Sequence, residues 1–181
     1  MKLDDSYYHL LLMRAGLDDG YDEWLDSYLE AEDPLSDIVL NLALCGSDLN
    51  RVISCLNGYC GENPAVDERQ ICERLRRYLK NAYHCGQMNQ RGVVEAMYRI
   101  VSAHGGPGDV NFDIWGDFYY LDDCLEMVED GIASRDVFDD AFLKFLNEGI
   151  PLNGTLWDRK PTRTERLLHW LRQLWRNLCH K

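Results

Sequence analysis

The chain has 181 residues and a net charge of −12, and it is 46% apolar and 11% aromatic. That suits one packed domain and is too apolar for a disordered chain, while the acidic balance disfavours nonspecific binding to nucleic acid or an anionic membrane. No apolar run approaches the roughly 20 residues a bilayer span needs, and Met1-Lys2-Leu3-Asp4-Asp5 carries acid where an export signal carries base, so a cytoplasmic protein is expected.

Apolar residues recur at intervals of three and four, the helix period. A first helix is expected from about Asp5 to Ala15, stopped by Gly16, and a second from about Asp19 to Glu32, burying Tyr21, Trp24, Leu25, Tyr28 and Leu29. Asp33-Pro34 has the form of an N-cap followed by a first-turn proline, opening a helix with Leu35, Ile38, Val39 and Leu42 on one face. Ser47 is the expected cap of the next helix, whose stripe is Leu49, Val52, Ile53, Leu56 and Tyr59. Only Cys45-Gly46-Ser47-Asp48 separates these two stripes, which calls for an antiparallel helical hairpin.

Asn63-Pro64 repeats the cap signature ahead of a long helix to about Cys85, with Ile71, Leu75, Leu79 and Ala82 inward and Gly86 as its stop. Its basic run, Arg74, Arg76, Arg77 and Lys80, reads as a salt-bridged surface beside Glu68 and Glu73. Asn89 opens a helix with Val93, Met97, Ile100 and Val101 inward. Gly105-Gly106-Pro107-Gly108 is the strongest breaker and marks a sub-division of the single domain 1–181. Beyond it, Asp109–Phe118 reads as a loop, followed by helices from about Tyr119 to Asp130 and from Ser134 to Glu148. The stretch from Ile150 to Asp158 reads as irregular. Thr162-x-x-Glu165 is a capping box opening a basic, leucine-rich terminal helix to about Leu178. No strand pattern and no fixed-period repeat is found. The fold class is all-α: an irregular bundle of about eight helices, or a solenoid-like stack of antiparallel helical hairpins.

Charge alternates in blocks: −10 over residues 1–50, +3 over 51–105, −11 over 106–158 and +6 over 159–181. Seven cysteines (45, 55, 60, 72, 85, 124 and 179) form an odd set in a chain without an export signal, so free thiols packed as small hydrophobes are expected. Cys55 and Cys60 are spaced more widely than a zinc knuckle requires, and Cys85 beside His84 is no nucleophile–base pair, because helical neighbours point apart. Glycine-rich phosphate loops are missing.

No catalytic constellation and no cofactor is expected. The candidate binding residues are Phe112, Trp115, Asp117, Asp122, Glu126 and Glu129. The first three lie in an aromatic and acidic stretch, Asp109 to Asp123, able to anchor a contact. The last three share one helical face opposite Leu121, Leu125 and Val128. The same aromatics also fit a packing role, with Phe112, Trp115 and Phe118 closing a core. The function these residues favour is a non-enzymatic interaction module, of inhibitor or neutraliser type, that docks a basic partner protein. The alternative is a small metal-dependent hydrolase resembling all-α nucleotide pyrophosphatases. It would use Asp22-Glu23-x-x-Asp26 and Glu126-x-x-Glu129, loose versions of the carboxylate pairs that hold Mg²⁺ in those enzymes.

Overall fold

The computed structural model of the protein describes residues 1–17, 20–61, 65–105 and 111–152. They form eight helices, α1 (Leu3–Arg14), α2 (Tyr21–Ala31), α3 (Asp37–Cys45), α4 (Leu49–Gly61), α5 (Glu68–His84), α6 (Gln90–His104), α7 (Phe112–Glu129) and α8 (Arg135–Glu148), with no strand among the described residues. The fold is an all-α, multi-helix bundle. The expected cap at Asn63-Pro64, the heart of the Gly/Pro cluster and the terminal helix at Thr162–Leu178 lie outside the described residues. No helix among those described is long and apolar enough to cross a membrane.

The chain divides into two compact units. Unit 1 comprises Met1–Leu75 and Arg99–Val110, and unit 2 comprises Arg76–Tyr98 and Asn111–Lys181. Two of the crossings fall inside α5 and α6, and the third follows the Gly/Pro cluster.

In unit 1, α1 packs on α4, α3 on α4 and α2 on α3. Their core joins Leu10, Tyr21, Leu25, Val39, Leu42, Val52, Leu56 and Cys60. Full burial of an aliphatic side chain contributes about 1.5–3 kcal/mol each, so this small set outweighs any surface pair. Gly16 stops α1 as expected. At φ +68° it lets its own N–H reach the Met13 carbonyl and the Leu17 N–H reach that of Leu12, so two terminal carbonyls are satisfied at once.

Three local expectations are corrected. Pro34 does not sit in the first turn of α3. Glu32 instead accepts hydrogen bonds from the Ser36 N–H and hydroxyl, the chain turns through residues 32–36, and Ser36 takes the N-cap position. Leu35 is therefore left outside the helix and exposed. At the next turn it is Asp48, not Ser47, that accepts from the first-turn Arg51 N–H. The basic run of α5 is also more than a salt-bridged surface. Arg74 pairs with Asp5 and lies 3.8 Å over the Tyr8 ring, whereas Arg76 is buried and donates to backbone carbonyls of α8.

In unit 2, α7 packs on α8. Ser134 takes the N-cap position of α8, and Phe138, Phe142, Phe145 and Leu146 form its buried side. Asn89 starts α6 as its sequence suggests, accepting from the Gly92 N–H.

Candidate functional site

The stretch expected as a loop, residues 109–118, is helical from Phe112 onward. Asn111 is the reason: its side-chain oxygen accepts from the Asp113 N–H and caps α7. Once the helix starts there, the aromatic residues sort by the helix period. Trp115, Phe118, Leu121, Cys124 and Leu125 turn inward. Phe112, Asp113, Tyr120, Asp123 and Glu126 turn outward.

The candidate residues therefore divide. Trp115 has no exposed surface at all, so it packs the core of unit 2 and is withdrawn as a direct contact. Its ring stands edge-on to Phe118, with centroids 6.0 Å apart. Phe112 remains outside at 42% exposure and Tyr120 at 47%. Between them lies Gly116. A Cβ at that position would sit 3.7 Å from the Phe112 ring and 3.8 Å from that of Tyr120, so the two rings meet over the missing side chain, 5.8 Å apart. Tyr119 joins Phe112 at 5.9 Å and Tyr98 of α6 at 5.8 Å, extending the aromatic row.

The carboxylates flank this row in different states. Asp117 is half-buried and accepts from the Leu152 N–H, and burial raises its affinity for a proton. Asp122 is also half-buried. Burial, then the neighbouring Asp123 and Glu95, push its pKa upward against the pull of Arg91. Glu129 is exposed and ion-paired with Arg91, which also reaches Glu95 at 3.4 Å. Glu126 is exposed. In α7 and α8 together the only bases are Arg135 and Lys144, each paired with a carboxylate four residues away on its own helix. Among the described residues, no three His, Cys, Asp or Glu side chains are grouped to hold a metal ion.

The six described cysteines are free thiols. Burial pushes Cys60 and Cys124 up to about 11, which keeps both protonated and unreactive at neutral pH.

One cluster escaped sequence reasoning. In unit 1, a cavity of about 290 Å³ is lined by Tyr7, Arg14, Cys60, Glu68 and His104, among others. The Tyr7 hydroxyl lies 2.5 Å from His104 Nδ1, and His104 Nε2 lies 3.7 Å from the Glu68 carboxylate. If Tyr7 donates, the ring proton sits on Nε2 and faces Glu68. The order suggests a relay, but burial pushes the Tyr7 phenol up to about 12 and lowers the basicity of His104. Both shifts favour the neutral phenol and the neutral imidazole.

Compared with known proteins, the chain matches no protein-family model, no curated protein and no solved structure.

Proposed function

We propose that the protein is a non-enzymatic interaction module that binds a basic partner protein through an acidic helical surface, acting as an inhibitor or neutraliser. The observation that carries this reading is the outward side of α7. There Phe112 and Tyr120 stay exposed over Gly116, in a helix whose other exposed residues include Asp113, Asp123, Glu126 and Glu129. Exposed aromatic rings are the side chains that most often anchor an interface. A rim of carboxylates accelerates encounter with a basic surface and rejects acidic competitors.

The test is affinity capture from the host lysate, comparing the wild-type chain with a Phe112→Ala/Tyr120→Ala variant. A basic protein should be retained at about 50 mM salt, released at about 500 mM as charges are screened, and missing from the variant. Retention that ignores both salt and the two rings would sink the reading. A melting temperature raised by Mg²⁺ at constant ionic strength would point to the metal-dependent hydrolase instead.

A further inference from the structure

We propose that the outward face of α3 is a docking surface for a basic amphipathic helix of a partner protein. This rests on the reading of the chain as a binder of basic partners, and adds a second surface and the partner's local structure.

Helix α3 is apolar on two sides. Val39 and Leu42 point into the core of unit 1 and are fully enclosed. Leu40 and Leu44, one turn apart on the other side, are 46% and 66% exposed, with Ala43 exposed beside them. A surface helix of a folded protein needs one apolar stripe, and the second stays exposed with no cover among the described residues. Leucines at i and i+4 form the kind of ridge that packs into the groove of another helix. Leu35 and Leu49, just outside the two ends of α3, are exposed as well.

Charge selects the occupant. Residues 30–48 contain Glu30, Glu32, Asp33, Asp37 and Asp48 and no Lys, Arg or His. Glu30, Asp33, Asp37 and Asp48 are exposed, and none of these four forms an ion pair among the described residues. Asp37 lies three residues before Leu40, on the same side of the helix. An apolar ridge on a segment that carries five acids and no base, with Arg51 the nearest base along the chain, matches a helix whose leucine stripe is bordered by Lys and Arg. A second copy of this face would set acid against acid, and an anionic lipid surface is repelled in the same way.

The probe is a labelled amphipathic Leu/Lys peptide of about 18 residues, five helical turns, titrated into the full-length chain and read by fluorescence anisotropy. A peptide of the same composition in scrambled order and a Leu/Glu helix are the controls. Saturable binding of the Leu/Lys helix alone is expected. Leu40→Ser/Leu44→Ser should weaken it about tenfold or more, the loss of a hot-spot pair, while the melting temperature falls by only about a few degrees, because Leu44 is 66% and Leu40 46% exposed. On the wild-type chain, which removes any doubt about folding, the Leu40 and Leu44 methyl resonances should shift on peptide addition.

Binding unchanged in Leu40→Ser/Leu44→Ser, with unshifted methyl groups, would overturn the proposal. If Phe112→Ala/Tyr120→Ala then abolishes that binding, the reading of α7 survives without it. If the wild-type chain binds no basic peptide at low salt, both readings fall. A dimer in sedimentation that Leu40→Ser/Leu44→Ser converts to monomer would assign the face to self-association and equally overturn the proposal.

Discussion

The His9 imidazole stacks on the Trp24 indole, with ring centroids 4.5 Å apart and planes inclined by 29°. Tyr8 and Tyr21 stand edge-on to the same imidazole, and the residue is 96% enclosed. Burial, with the nearby Arg74 adding to it against a weaker opposing pull from Asp5, lowers its pKa to about 4.

A pH dependence of known sign follows. In the unfolded chain His9 takes up its proton near pH 6.5, and in the folded chain only near pH 4. Between those values the unfolded state holds more protons, so stability falls as pH drops from about 6.5 to about 4, by at most on the order of 3 kcal/mol. His104, whose pKa is lowered chiefly by burial, contributes with the same sign. Thermal melts of the wild type should therefore weaken between pH 7 and pH 5. His9→Phe keeps a ring against Trp24 and removes the titration, so its melting temperature should fall less over that interval. An equal fall in both proteins would assign the acid sensitivity elsewhere.

The two adjacent positions 115 and 116 should respond in opposite directions. Trp115 is fully enclosed, and Trp115→Ala removes the largest buried side chain of α7, a change that costs about 3–5 kcal/mol. Gly116 lies inside the helix, and an added Cβ would meet Phe112 and Tyr120 only at 3.7–3.9 Å, ordinary van der Waals distance. Gly116→Ala should thus stabilise by about 0.5–1 kcal/mol, through reduced freedom of the unfolded chain. Urea unfolding of the two variants checks both. A destabilised Gly116→Ala would mean that the rings above it have no room to accept a methyl group.

Position 115 also shows where the sequence stops being legible. Helix period and glycine stops locate most of the helices, because spacing and chain reversal are local properties. The start of α7 was obscured by the Gly/Pro cluster before it and by Gly116 within it, although Phe112, Trp115 and Tyr119 already stand at helical spacing. Periodicity says that Trp115 and Phe112 share a helix, not which of them faces a core. The contact between Tyr7 and His104 joins residues 97 positions apart, and nothing in either local sequence announces it.

The end of α8 supplies the last prediction, since three donors of α5 converge on it. Arg76 Nη1 donates to the Phe145 and Leu146 carbonyls, Lys80 Nζ to the Asn147 carbonyl at 3.0 Å, and His84 Nε2 lies 2.7 Å from Asn147 Oδ1. Residues 76, 80 and 84 recur every four positions, so one stripe of α5 meets the last turn of α8, where the Phe145 carbonyl also accepts from the Gly149 N–H. Positive charge there also opposes the negative end of the α8 dipole. Gly149 caps the helix at φ +71°, and a Cβ at that residue would lie 3.4 Å from Arg76 Nε. Arg76→Met should remove about 2–3 kcal/mol of stability, because buried carbonyls lose a charged donor. Arg76→Lys should recover only part of it, having one ammonium in place of the broad guanidinium. Lys80→Ala, at a half-buried site, should cost about 1 kcal/mol. Gly149→Ala should cost about 1–2 kcal/mol, since it forces an L side chain into the left-handed region and against the guanidinium. Combined with Arg76→Met, that penalty should shrink because the crowding is relieved, and a double-mutant cycle in urea measures the coupling. Strict additivity would show that Arg76 and Gly149 act on the end of α8 independently.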